Sequence, residues 1–287
     1  MDPCNINDIK NLLGMHGFRF SKSMGQNFLI AGWVPDRIAE EAGLDETFGV
    51  LEIGPGIGAL TSRICERAAK IVAVELDKNV VPMLNIVLKE QTNVEVVSGD
   101  VLKLNIGELL DEKLPNLRHT VCANLPYNIT TPVLSALIDT GRFETITVMV
   151  QREVARRICA KAGTSDYGAF SVYAGYHMQP EILFDVGPEC FMPQPKVYSS
   201  VIKLTRRDAP PAFVKDKALF FRVVRASFAQ RRKTLLNALY ASFGNEASKE
   251  ELSAIIKQCG YDERIRGEVL DITGFAKIAE RIGDLLK

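Results

Sequence analysis

The chain is poor in metal ligands. It has three His, at 16, 119 and 177, and six Cys, at 4, 65, 122, 159, 190 and 259. No two of these fall at the short spacing of a zinc site, so no metal is expected. The cysteines also lack a CxxC pair and the density of a disulfide framework. They are read as reduced thiols, mostly buried fillers, which suits a cytoplasmic protein. No apolar run approaches the ~20 residues of a membrane span, so no membrane partner is expected. Met1-Asp2-Pro3-Cys4-Asn5 shows no basic segment followed by an apolar run, so no secretion signal is expected either. Internal repeats and low-complexity tracts are missing.

What is present fits a globular protein. The 287 residues are 47% apolar and 24% charged, enough for one large domain or two. The net charge of zero conceals a split. Residues 1–205 carry 19 Lys/Arg against 24 Asp/Glu, and residues 206–287 carry 16 against 11. A basic C-terminal part suggests a polyanionic partner, although solvated helix faces also carry excess Lys. Apolar, β-branched runs at 50–53, 71–75, 94–98, 119–123, 146–150, 182–186 and 200–204 predict strands. Helical patterns at 59–68, 79–89, 106–110 and 131–139 separate the first five. Such alternation predicts an α/β fold with a mostly parallel sheet covered on both faces. No helix separates the last two strands, so that pair is expected to be antiparallel. Arg206-Arg207-Asp208-Ala209-Pro210-Pro211 reads as a linker. Beyond it, amphipathic stretches at 215–228, 233–243, 249–258 and 273–286 predict a small all-helical domain. The expected division is therefore 1–207 and 208–287.

Four successive strand ends carry polar or glycine residues. The first runs into Gly54-Pro55-Gly56-Ile57-Gly58, a turn that lets the backbone pass close under a ligand. This pattern also fits a loose dinucleotide fingerprint or a purely structural tight turn. The second ends in Glu75, placed where a carboxylate binds ribose hydroxyls. The third ends in Ser98-Gly99-Asp100, whose carboxylate suits an adenine amine, or a turn or helix cap. The fourth ends in Asn124-Leu125-Pro126-Tyr127. Asn and Pro are common in turns, but this combination also suits methylation of an exocyclic amine. The Asn124 oxygen and the Leu125 carbonyl accept the two amine protons, and Tyr127 offers a flat wall for the base. A dehydrogenase has no clear use for this last element.

Taken together, these residues resemble the ribosomal RNA small-subunit adenine N6-dimethyltransferases of the KsgA type. The resemblance spans nearly the whole chain. It rests on Gly25-Gln26-Asn27-Phe28-Leu29, the glycine loop, Glu75, Gly99-Asp100, Asn124 to Ile129, Val150 to Ala155, Phe191-Met192-Pro193-Gln194-Pro195-Lys196-Val197 and Phe228 to Leu235. Asn128 stands where an aromatic is frequent and Gln194 where Pro is frequent. The resemblance implies a Rossmann-like class I methyltransferase sheet followed by a helical RNA-binding domain. It implies transfer of methyl groups from S-adenosyl-L-methionine to two adjacent adenosines in the 3′-terminal hairpin loop of small-subunit rRNA, within an immature small subunit. A monomer is expected. Carried over to matching positions, Asn27, Leu29, Gly54, Gly56, Glu75, Asp100 and Asn124 hold the cofactor, and Tyr127 and Phe191 sandwich the target adenine. Macrolide-resistance methylases of large-subunit rRNA share the sheet motifs.

The substrate base has to be unstacked to reach the pocket, which is easiest in an RNA loop. Candidate RNA contacts are Arg222, Arg225, Arg232 and Lys233, which on one continuous helix lie within about a third of its circumference. Arg152 and Arg156 share a face of a second basic helix. A solvated basic face is the plain alternative. Two rival functions are a non-catalytic RNA-binding assembly factor and a DNA adenine methyltransferase. The first predicts a damaged strand-end row, and the second a region for reading duplex sequence.

Overall fold

Runs such as Ile71-Val72-Ala73-Val74 pack well on a pleated surface covered on both sides, and that is where the strands form. The computed structural model of the chain describes residues 1–20, 25–230 and 232–286. In order come α1 (Ile6–Met15), β1 (Phe28–Leu29), α2 (Trp33–Ala42), β2 (Phe48–Ile53), α3 (Thr61–Ile64), β3 (Lys70–Glu75), α4 (Val81–Val87), β4 (Val94–Ser98), α5 (Ile106–Lys113), β5 (Arg118–Asn124), α6 (Thr130–Asp139), β6 (Thr145–Gln151) and α7 (Arg152–Ile158). Then follow α8 (Ala169–His177), β7 (Met178–Val186), β8 (Phe191–Met192), β9 (Ser199–Arg206), α9 (Lys217–Ala229), α10 (Leu235–Phe243), α11 (Lys249–Gln258) and α12 (Ile272–Leu285).

Seven strands form one sheet in the order β4-β3-β2-β5-β6-β9-β7. The first five are parallel neighbours. β9 runs antiparallel to β6, from Gln151 opposite Ser199 to Thr145 opposite Thr205. The α/β class and the antiparallel late strand are as the sequence predicts. Strand order reverses between β2 and β5, which opens a crevice at their carboxyl ends, where α/β sheets take ligands. β1 and β8 form a separate antiparallel ribbon, Leu29 opposite Phe191. Every residue of β2 is buried, and Val121, Cys122 and Ala123 of β5 are fully enclosed. The helix α2 turns Val34, Ile38, Ala39 and Ala42 inward, a helical spacing that keeps one apolar face on the core. Each such aliphatic side chain contributes roughly 1.5–3 kcal/mol on burial.

The chain divides into two compact units, Met1–Ala155 with Glu181–Arg206, and Arg156–Pro180 with Arg207–Lys287. This boundary differs from the expected one at 207/208. Val172 and Tyr176 of α8 are buried in one cluster with Phe220, Val223, Leu239, Phe243 and Phe275. The helix α8 precedes β7, so a linear reading assigns it to the sheet, whereas its apolar side chains belong to the helical core. The Arg207 guanidinium fastens the linker to α8 by donating to the Gly175 and Met178 carbonyls, both at 3.0 Å. Asp216, Thr234, Ser248 and Asp271 cap the N-termini of α9, α10, α11 and α12. Each such cap is worth ~1 kcal/mol. The Thr234 cap also corrects one expectation. The helix α9 ends at Ala229, and the Lys233 amide donates to the Gln230 carbonyl in a turn (2.9 Å). Arg232 and Lys233 therefore do not continue the face that carries Arg222 and Arg225.

Candidate active site

The cleft is built on the carboxyl ends of β2, β3, β4 and β5. After β2 the chain enters the left-handed region at Gly54 (φ +66°) and Gly56 (φ +57°). A side chain at Gly56 would be strained by that conformation. Its Cβ would also stand 3.2 Å from the Phe28 ring. The loop therefore needs glycine for both backbone and space. The Phe28 ring packs with Phe18 and Phe20, so the N-terminal segment closes over the glycine loop. Gln26 Nε2 donates to Asp77 Oδ2 at 2.7 Å, tying that segment to the end of β3. The resulting cleft has a volume of about 1170 Å³ with its open mouth included. The helix expected over 59–68 shrinks to the single turn of α3, flanked by turns.

Electrostatics decides what the cleft suits. Its described lining contains Glu52, Glu75 and Asp100 and no Lys, Arg or His. A dinucleotide pyrophosphate would meet carboxylates and the start of a one-turn helix, which has little macrodipole to offer. A cationic ligand meets the opposite sign. Glu75 accepts from the Gly56 amide (3.2 Å) and the Asp77 amide (2.8 Å), which locks the glycine loop to β3. Its carboxylate still has lone pairs for a ligand. Burial pushes the Glu75 carboxyl above its ordinary range, and the two amides pull it partly back. Asp100 is half-buried, and its Oδ1 accepts from the Leu102 amide at 3.1 Å. It thus serves as a turn residue while lining the cleft.

Glu52 is the residue that sequence reasoning missed. It lies in β2, 1% exposed, and its Oε2 is buried with no hydrogen-bond partner among the described residues. Desolvation pushes its carboxyl up to about 8, helped by the charge of Glu75, while Thr61 pulls the other way. The signal was visible in Val50-Leu51-Glu52-Ile53: a lone acid in a run otherwise apolar is rarely buried without purpose.

At the end of β5, Asn124 Nδ2 donates to the Asn27 carbonyl at 3.3 Å. The Asn27 side chain in turn donates from Nδ2 to the Gly25 carbonyl at 3.0 Å. This commits the NH₂ of Asn124 to the N-terminal segment and leaves Oδ1 as the acceptor of that side chain. The Leu125 amide donates to the Met149 carbonyl (3.1 Å), so the Asn124–Leu125 peptide is held by the sheet. The Pro126 carbonyl accepts from Ile129 N and Thr130 Oγ1, which starts α6. The half-buried Tyr127 lines the cleft, and its hydroxyl lies 2.7 Å from Ser199 Oγ on β9.

The structure thus gathers Asn27, Leu29, Gly54, Gly56, Glu75, Asp100, Asn124, Leu125 and Tyr127 around one cleft. Phe191 is not among its lining residues. Only 3% exposed, it packs in a core cluster with Leu29, because ribbon pairing turns its ring into the core. Among the expected RNA contacts, Arg225, Arg232, Lys233 and Arg156 are exposed. Arg222 is instead paired with Glu246, donates to the Ser242 carbonyl and lies 4.1 Å over the Phe243 ring. It fastens α9 to α10. Arg231 of the Phe228–Leu235 motif lies outside the described residues. No group of His, Cys, Asp or Glu suited to a metal occurs among the described residues.

A seven-stranded sheet with one antiparallel insertion, a glycine turn at its switch point and an acidic cleft define a class I methyltransferase. Known proteins narrow this class. The model of the family described as ribosomal RNA adenine dimethylase matches residues 17–275. The Ribosomal RNA small subunit methyltransferase A of Geobacillus thermodenitrificans is 43% identical over 281 residues, covering 97% of this chain and 96% of that one. The protein of that name from Listeria monocytogenes serotype 4a is 44% identical over 280 residues, covering 96% and 95%. Among solved structures, the 23S rRNA methyltransferase ErmE aligns with a TM-score of 0.68 and 26% identity over 90% of this chain and all of that one. A dimethyladenosine transferase from Plasmodium falciparum shares the fold, with a TM-score of 0.74 at 24% identity over 90% of this chain and 98% of that one. The chain belongs to the ribosomal RNA adenine dimethylase family, and its activity is rRNA adenine dimethylation. Membership implies the use of S-adenosylmethionine.

Proposed function

We propose that this protein dimethylates the N6 amines of two adjacent adenosines in the 3′-terminal hairpin loop of small-subunit rRNA. In this reading it acts as a monomer in the cytoplasm on an immature small subunit, with S-adenosylmethionine as methyl donor. The observation that carries the reading is the acidic cleft opening directly onto the Asn124–Tyr127 turn. The donor has a sulfonium and an ammonium, so a lining with carboxyl groups and no Lys, Arg or His suits it. When bound, it supplies a methyl group on a good leaving group. The protein's task is to prepare the nucleophile, whose lone pair is delocalised into the ring.

Asn124 Oδ1 and the Leu125 carbonyl accept the two amine hydrogens, aim the lone pair and stabilise the positive charge that grows on nitrogen. Pro126 contributes no competing N–H. Tyr127 stacks on the base, its ring held in place by Ser199. Glu75 takes the ribose hydroxyls, Asp100 the adenine amine of the donor, and Asn27 and Leu29 form the lid of the site. The product ammonium is strongly acidic, so no strong general base is required. Arg225, Arg232, Lys233 and Arg156 make phosphate contacts, which set RNA affinity and its salt dependence.

Identity of 43–44% to small-subunit enzymes, against 26% to ErmE, supports the small-subunit substrate. The test is transfer of tritiated methyl groups to immature small subunits, naked rRNA and duplex DNA. Label on two neighbouring adenosines of the small-subunit rRNA is the expected result. Preferential labelling of large-subunit rRNA or DNA would overturn the reading.

A further inference from the structure

Beside the cleft lies a second aromatic surface. The segment between the buried Phe191 and the buried Ser199 is exposed at Gln194, Lys196, Val197 and Tyr198. Tyr198 is 47% exposed, and the Arg152 guanidinium lies 4.4 Å from its ring centroid. Two further contacts hold this pair. The Arg152 amide donates to the Tyr198 carbonyl at 3.0 Å, extending the β6–β9 ladder. The guanidinium also stands 3.9 Å from Asp185, whose other oxygen accepts from Ser200 Oγ at 2.5 Å. The pair is coupled to the cleft through one residue, since Ser199, next to Tyr198, meets the Tyr127 hydroxyl. β6 is the neighbour of β5, with Met149 opposite Asn124, so both aromatics stand at the same edge of the sheet.

We propose that Tyr198 and Arg152 form a stacking platform for the base of the nucleotide next to the target adenosine. The inference rests on the rRNA reading above and extends it to a subsite outside the methyl-transfer pocket. Extracting one base from a loop breaks its stack with the neighbour. A fixed aromatic just before β9, two strands from β5, replaces that stack for the neighbour left behind. An exposed ring with a guanidinium on one face and a nearby lysine matches the combination that single-stranded nucleic acid takes, a π-face beside cations that follow the backbone. Stacking accepts any base, so the platform sets geometry rather than sequence. Exposed Arg–Tyr pairs also occur as surface contacts with no ligand, and the test separates the two.

The kcat/KM for immature small subunits is measured for Tyr198→Ala, with Tyr198→Phe as the conservative variant. The expected loss for Tyr198→Ala is ~10-fold or more, largely recovered in Tyr198→Phe. Melting temperature and calorimetric S-adenosylmethionine affinity should stay at wild-type values. In parallel, p-benzoylphenylalanine replaces Tyr198, and its photo-crosslinks on the subunit are mapped. A crosslink to the nucleotide flanking the methylated pair supports the platform. Unchanged kcat/KM in Tyr198→Ala, or crosslinks confined to other nucleotides or to protein, would overturn it while wild-type methylation leaves the rRNA reading standing. Absence of wild-type methylation would bring down that reading and the platform with it.

Discussion

The cleft and the helical unit handle charge in opposite ways. In the cleft Glu75 is buried and tied to the backbone amides of Gly56 and Asp77. In the helical unit Arg225, Arg232 and Lys233 stand in solvent, and Arg222 is spent on Glu246 and Phe243. A buried carboxylate needs specific partners, because desolvation without them is expensive. An exposed cation needs none, and its position tolerates drift. The cleft is therefore written in local motifs of fixed spacing, whereas the basic surface is written only as an excess of charge.

The largest expected effect tests whether Phe191 belongs to the core or to the base pocket. Phe191→Ala should destabilise the fold by about 3–5 kcal/mol, as large aromatic truncations in cores do, with the loss read in denaturant melts. Tyr127→Ala should leave stability nearly intact and impair methyl transfer. Equal stability of the two variants would move Phe191 out of the core role assigned here.

Asn124→Ala follows in size. Removing one oriented acceptor should lower kcat ~10²–10³-fold while circular dichroism and melting stay near wild type. A folded Asn124→Ala protein with near-normal turnover would remove the amine-orienting role.

The buried Glu52 makes stability depend on pH. In the native state its carboxyl holds its proton up to about 8, whereas in the unfolded chain it ionises near the ordinary ~4.3. Between these values the native state binds more protons, so this residue's contribution falls as pH rises and levels off above 8. Glu52→Gln should remove that decline. Its melting temperature should gain on the wild type steadily from pH 5 to pH 8. Parallel curves across this window would show that Glu52 is already ionised and paired.

The smallest effects belong to the helical unit. Neutralising Arg225, Arg232 and Lys233 one at a time should each lower the log–log salt slope of rRNA binding by ~0.7–0.9, with S-adenosylmethionine affinity unchanged. Arg222→Ala should leave the slope intact and lower stability by about 1 kcal/mol, since its ion pair is half-exposed. A slope change in Arg222→Ala would erase the distinction between the two kinds of cation.

Sequence by itself determined the seven strands, the row Gly54, Glu75, Asp100 and Asn124, and the Asn124–Tyr127 turn. These depend on short-range rules: β-branched runs form strands, a glycine is needed where φ turns positive, and strand ends in a parallel sheet fall along one edge. The helices after the linker were legible for the same reason, since their apolar spacing is local. Only the tertiary structure decided that α8 joins the helical core, that Phe191 faces inward from a ribbon with Leu29, and that Arg222 is paired. It alone left Glu52 Oε2 buried with no hydrogen-bond partner among the described residues, set Ser199 against Tyr127, and laid Arg152 over Tyr198. Each of these depends on which distant residue arrives within a few ångströms. That is set by the packing of whole elements and leaves no trace in the spacing of neighbours along the chain.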